Sequence, residues 1–258
     1  MPSTGPLYLH IANTICKTLA FVVAFVHYTF IQIGISKISS VIINAPNGIY
    51  KNLCNIWTSR FFRRIISLLV RTQLHSQVTK LLNFDPESIK PGSVVVSCHT
   101  PWARLITQWC AENNYAMVVG WGPWVKRAGI AKHATGFQEL RTLANYLRSG
   151  GRVVIMADIF NKLSNCPVRF FEKPCNASLF PLRLARLANT SLVTVMPALE
   201  NYSIRIHKGP EALLSNDAGK AMQVLLSYFE TEIRQDPSVW SGYIRGSLAK
   251  EIYIQPTA

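Results

Sequence analysis

The stretch VVVSCHTPWARL, residues 94–105, joins an unbroken run of valines to a histidine and then to a helix start. Val94-Val95-Val96 reads as a buried strand, because a short β-branched run without polar alternation hides both of its faces. Thr100 and Pro101 suit the N-cap and first turn of a helix running to about Asn113. The same grammar recurs downstream, with strands expected at Tyr115 to Val119, Arg152 to Ala157, Leu192 to Met196 and Ser203 to His207. Between and after them, helices are expected at Leu140 to Ser149, Leu179 to Ala188 and Gly219 to Arg234, the first stopped by Gly150-Gly151 and the last before Pro237. Short strands alternating with helices predict an α/β domain, a mixed sheet flanked by helices, over residues 93–258.

Upstream of that domain the composition changes. Of 258 residues 49% are hydrophobic and only 16% charged, against roughly 25% charged in an ordinary soluble domain. The first carboxylate is Asp85, while Lys17, Lys37, Lys51, Arg60, Arg63, Arg64, Arg71 and Lys80 all precede it. Cations spaced among Phe, Ile, Leu and Val fit an anionic lipid surface better than nucleic acid, and no helix-turn-helix, zinc-finger or RNP pattern is present. Thr18 to Ile35 carries no charge and predicts an N-terminal hydrophobic membrane-anchor helix that spans or inserts, within an anchor-and-connector segment 1–58. Ser59 to Phe84 interleaves apolar and basic residues at helical spacing, so 59–92 is expected to be a basic amphipathic helix and its junction. The six cysteines lack C-x-x-C spacing and read as reduced thiols, with neither zinc nor a disulfide scaffold suggested.

Ligands in open α/β sheets sit where strand ends and helix starts face one crevice. Of the six histidines, only His99 is expected at such a place. Asp158, at the end of the run Val153-Val154-Ile155-Met156-Ala157, is the best carboxylate partner, since Glu112 and Glu139 fall at helix ends. A carboxylate beside an imidazole fixes its tautomer and stabilises the imidazolium formed on proton abstraction. Cys98 adjoins His99, but neighbouring strand residues face opposite ways, so a Cys-His nucleophile is not expected. No G-x-S-x-G elbow, phosphate-binding P-loop or H-E-x-x-H appears, and no metal or other cofactor is called for.

From about Ser93 to Trp240 the sequence resembles the lipid A late acyltransferases and the related phosphatidylinositol mannoside acyltransferases. The resemblance is carried by VVVSCHTPWARL (94–105), WVKRAG (124–129), LANYLRSGGRVVIMADIF (143–160), PVRFFEKPCNASLFPLRLARLANTSLVTVMP (167–197) and FETEIRQDPSVW (229–240). It implies a glycerolipid acyltransferase-like α/β fold and a donor thioester on acyl-carrier protein or coenzyme A. It further implies a lipid or carrier-bound acceptor and a site on the cytoplasmic face of a bacterial inner membrane. By the same resemblance His99 is the general base, Asp158 its acidic partner, and Lys126 or Arg127 the cation that holds acceptor phosphate or the oxyanion. Arg169, beside the phenylalanine pair, joins the implied substrate-binding set.

One departure stands out, because the family's His-x4-Asp/Glu motif has Arg104 at its acidic position here. Three readings follow. Asp158 alone orients His99, or Arg104 meets an anionic group of a different acceptor, or the chain is a catalytically silent relative that binds lipid or a partner.

Overall fold

The valine run and the Arg152 run form neighbouring parallel strands at the centre of a six-stranded sheet. The computed structural model describes residues 7–32, 48–71, 82–118, 137–158, 166–200, 203–212 and 217–240. The strands are β1 (Leu82–Asn83), β2 (Val94–Ser97), β3 (Tyr115–Val118), β4 (Arg152–Met156), β7 (Leu192–Glu200) and β8 (Ser203–Ala212), in the order β1-β8-β7-β2-β4-β3. β7, β2, β4 and β3 run parallel, β8 is antiparallel to β7, and β1 follows β8, which makes the sheet mixed. A separate antiparallel hairpin joins β5 (Cys166–Phe170) to β6 (Lys173–Ala177).

Helices cover both faces, as the unalternating strands require: every residue of β2 and β4 is buried. On one face Val94, Val96, Cys98, Val153 and Ile155 pack with α4 (Phe137–Arg148), α5 (Phe180–Ala188) and α6 (Ala218–Gln235). On the other, Val95, Val154 and Met156 meet Leu105, Ile106 and Trp109 of α3 (Ala103–Glu112) and Phe62 of α2 (Ile49–Arg71). Fully buried side chains such as Leu105, Leu225 and Phe229 each contribute about 1.5–3 kcal/mol of transfer free energy.

Two turns aim the central strands. The N–H of Gly151 donates to Tyr146 O and that of Gly150 to Leu147 O, both at 2.9 Å, which closes α4 with a Schellman turn. Gly150 takes φ +90°, and a Cβ on Gly151 would lie 2.3 Å from the Tyr146 ring, so both glycines are needed before β4.

Several sequence expectations shift. The helix expected from Ser59 begins earlier, at Ile49, and is described to Arg71; residues 72–81 lie outside the described residues, and Leu82–Asn83 pairs as a strand rather than belonging to a helix that reaches Phe84. Thr100 does not cap α3: its Oγ1 accepts from Trp102 N at 3.1 Å, making a turn, and Ala103 opens the helix with Trp102 in the cap position. Pro101 and Trp102 are both buried, so packing draws them into the turn ahead of the helix. β7 and β8 run on to Glu200 and Ala212 because each protects the other as an antiparallel pair.

At the N-terminus α1 (Leu7–Gln32) lays Cys16, Ala20 and Ala24, all at most 1% exposed, against α2. Its other side shows Ile11, Ile15, Leu19, Phe21, Val22, Phe25 and Val26, each 45% or more exposed. Among the described residues no helix is long and apolar enough to cross a membrane, so the helix is present while the spanning expectation gains no support.

Candidate active site

β2 and β4 are in register at Ser97↔Met156, so the residues two places beyond each, His99 and Asp158, leave the sheet side by side. The bond from Ala157 N to Ser97 O, 2.8 Å, holds the two strand ends together. Asp158 Oδ1 accepts both the His99 backbone N–H and, at the same 2.8 Å, a bond with His99 Nδ1. Its Oδ2 accepts from Trp240 Nε1 at 2.7 Å. The carboxylate is fully buried while the His99 side chain is 29% exposed, an arrangement with the acid inside and the ring facing outward.

Burial alone would raise the Asp158 pKa, but the facing His99 charge and the hydrogen bonds from His99 and Trp240 outweigh it and hold the carboxyl below its ordinary value. An ionised Asp158 acts as acceptor, so Nδ1 of His99 carries the ring proton in the neutral imidazole and Nε2 is its basic nitrogen. A proton taken at Nε2 leaves an imidazolium whose charge faces the carboxylate.

Cys98 takes no part. Its Sγ lies 3.4 Å from Met196 Sδ on the opposite face of the sheet, fully buried, and burial first and Asp158 second push the thiol well above its usual pKa. The expected divergence of neighbouring strand residues keeps the thiol from imidazole and from the thiolate state.

The remaining expected site residues are less gathered. Arg104 lies in the first turn of α3, at the helix end nearest His99 in sequence. Lys126 and Arg127 lie outside the described residues. Arg169 is exposed on β5, where burial alternates, so it faces away from the side on which Phe170 is buried. Its guanidinium donates to the Glu172 carbonyl at 2.9 Å and its backbone pairs with Gln223 of α6, a structural role that packs the hairpin on that helix.

Trp240 was not singled out from the sequence as a site residue, although it ends the segment FETEIRQDPSVW. The only local signal is the Asp236-Pro237 turn before it, which says that the chain is steered there but not toward what. Beside the strand ends an apolar cavity of about 20 Å³ is walled by Ser97, Met156, Ile106, Trp109 and Ile206. That is room for about one water, not for an acyl chain.

The assembled chemistry is a buried anion, an oriented imidazole whose side chain is partly exposed, and a neighbouring thiol held protonated. Such a group is able to take a proton from a hydroxyl or amine brought against it. In comparisons with known proteins, no family model matches the chain and no curated protein matches it.

Proposed function

We propose that the protein is an acyltransferase that moves an acyl group from a thioester to a hydroxyl or amine of a membrane-associated or carrier-bound acceptor. The observation that carries this reading is the His99–Asp158 pair at the C-terminal ends of adjacent parallel strands. Nε2 of His99 takes the acceptor proton, the acceptor oxygen or nitrogen bonds to the thioester carbonyl, and the carbon–sulfur bond breaks as the proton passes to the leaving thiolate. With Cys98 turned into the core, transfer is direct and forms no acyl-enzyme.

Arg104 argued for a silent relative as long as residue 104 was the place for the orienting carboxylate. Asp158 fills that role from β4, so the replacement does not deprive His99 of a partner. The cations Arg104, Lys126 and Arg127 then serve anionic groups on donor or acceptor, in keeping with either coenzyme A or an acyl-carrier protein as thiol carrier.

The deciding assay follows thiol release from acyl-CoA and acyl-carrier protein with a lipid-extract acceptor pool. Release that requires both protein and acceptor is expected. Absence of release with every combination overturns the reading in favour of a lipid-binding relative.

The location in the reading, the cytoplasmic face of a bacterial inner membrane, is carried over from the resemblance; contact with a lipid surface is what is supported by α1. Its exposed apolar side chains lie on one helix face, and the exposed Lys17, Lys51 and Arg64 on α1 and α2 suit anionic headgroups. A helix of this kind lies in the headgroup plane with its apolar face down. Phe21→Glu combined with Phe25→Glu is expected to cut flotation with phosphatidylglycerol vesicles by on the order of 100-fold, since two large side chains each lose about 1.5–3 kcal/mol of burial. Equal flotation of variant and parent would remove α1 as the docking face.

A further inference from the structure

The carboxylate of Asp158 has three donors, and the one on Oδ2 comes from far along the chain. Trp240 is fully buried, and its Nε1 lies 2.7 Å from Asp158 Oδ2. We propose that Trp240 is a positioning residue for the reaction, the outer member of a His99–Asp158–Trp240 relay whose indole N–H keeps Asp158 anionic and aimed at His99. The role rests on the acyltransferase reading, but its physical content does not require turnover.

An indole N–H donates and never accepts, and it does not titrate in the working range. Oδ1 already meets two donors from His99, so with Trp240 on Oδ2 both oxygens face N–H groups. A proton on Oδ2 would point at the indole donor, and one on Oδ1 finds an acceptor only if the imidazole turns to its Nε2-protonated tautomer, so protonating the acid costs either a bond or the tautomer. Among the described residues the titratable groups facing Asp158 are His99 and the Cys98 thiol, and burial holds the latter protonated. Trp240 thus supplies a pH-independent bias toward the carboxylate, and with it toward the His99 tautomer protonated at Nδ1.

The surroundings of the indole support positioning rather than simple core filling. Asp236 Oδ1 accepts from Ser238 N at 2.9 Å, and Pro237 opens the short 3-10 turn Pro237–Val239, so the backbone leading into Trp240 is rigid. Phe170 meets the indole edge-on with ring centroids 5.7 Å apart, and Phe171 packs beside it at 5.9 Å. The β5–β6 turn places Phe171 and Glu172 at φ 50° and 65°, a left-handed pair that two-residue hairpins ordinarily reserve for Asn and Gly. A bulky residue held there is a backbone outlier. Its consequence is that two successive aromatic rings, not one, reach the tryptophan. Arg234 of α6 lies over the Phe171 ring at 5.2 Å and fixes the hairpin tip from outside.

Trp240→Phe removes the donor and keeps most of the ring. The expected result is a fall in kcat of about 10- to 100-fold with KM changed far less, the loss typical of an outer partner that orients a reacting group. The downfield proton resonance of His99 Nδ1–H, the signature of its bond to the carboxylate, is expected to move upfield. Phe170→Leu is the comparison, because it loosens the packing yet leaves the N–H; it is expected to lower the melting temperature without moving that resonance. A folded Trp240→Phe protein with unchanged kcat and an unchanged His99 resonance overturns the relay.

Should Trp240→Phe not fold, the ¹⁵N-labelled parent protein answers instead. The Trp240 Nε1–H resonance is expected to shift with the titration of His99, and a resonance indifferent to it overturns the proposal. Coupled resonances without any thioester turnover would sink the acyltransferase reading and leave the relay standing.

Discussion

His99→Ala is expected to lower acceptor-dependent thiol release by about 10²- to 10⁴-fold, the range for loss of a positioned general base. That corresponds to about 3–5 kcal/mol of transition-state stabilisation. The variant is expected to stay folded, because the backbone N–H at position 99 still donates to Asp158 Oδ1 and Trp240 still donates to Oδ2. Losing the third bond costs about 1–2 kcal/mol, visible as a modest shift in urea midpoint. Cys98→Ala supplies the contrast: it empties a small volume beside Met196 and is expected to keep activity within a few-fold of the parent. Near-parental release by His99→Ala, with the same fold by circular dichroism, would remove His99 from the chemistry. The reverse pattern, activity lost in Cys98→Ala alone, would point to a thiol nucleophile despite its burial.

Both members of this pair were legible because they end strands that announce themselves. β2 and β4 are buried on both faces, so their residues carry no polar alternation, and the first polar side chains beyond the runs fall at the crevice where the parallel strands end. The Schellman turn at Gly150-Gly151 was legible for a similar local reason. What escaped was either displaced by packing or carried by distance. Thr100 and Pro101 look like a helix start, yet Trp102 is drawn into the core against Phe62 and the helix waits for Ala103. The β5–β6 hairpin alternates correctly, with Cys166, Val168 and Phe170 inward, but its Phe171-Glu172 turn lacks the Gly or Asn by which such turns are recognised. Arg169 entered the expected site through the resemblance, and the alternation of β5 leaves it exposed. Trp240 lies 82 residues from Asp158, and no period or spacing encodes a bond across that separation.

Asp158→Asn is expected to be as damaging to activity as loss of His99, about 10³- to 10⁴-fold, because a neutral amide neither fixes the Nδ1–H tautomer nor stabilises imidazolium. It also strikes the fold, and the reason is donor arithmetic. Asn offers one acceptor and two donors, whereas both oxygens of Asp158 now face N–H groups. If the amide oxygen stays toward His99, its NH₂ meets Trp240 Nε1–H; if it flips, its NH₂ meets the His99 backbone N–H, even where the imidazole turns to its other tautomer and accepts at Nδ1. Either way a buried donor pair is left opposed, and the expected loss of stability at neutral pH is about 3–5 kcal/mol, as for breaking a buried ionic contact. The pH dependence separates this from a mere packing defect. Because the folded-state pKa of Asp158 lies below its unfolded value of 3.8, its stabilisation is complete above that value and is lost as the pH falls through the depressed folded pKa. Asn does not titrate there. Urea unfolding of parent and variant at several pH values is therefore expected to show a wide gap from about pH 6 to 8 that begins to narrow only as the pH falls below about 4. A gap that stays constant down to the lowest pH at which the parent folds would mean that Asp158 matters by its shape, and the anionic partner assigned to His99 would have to be withdrawn.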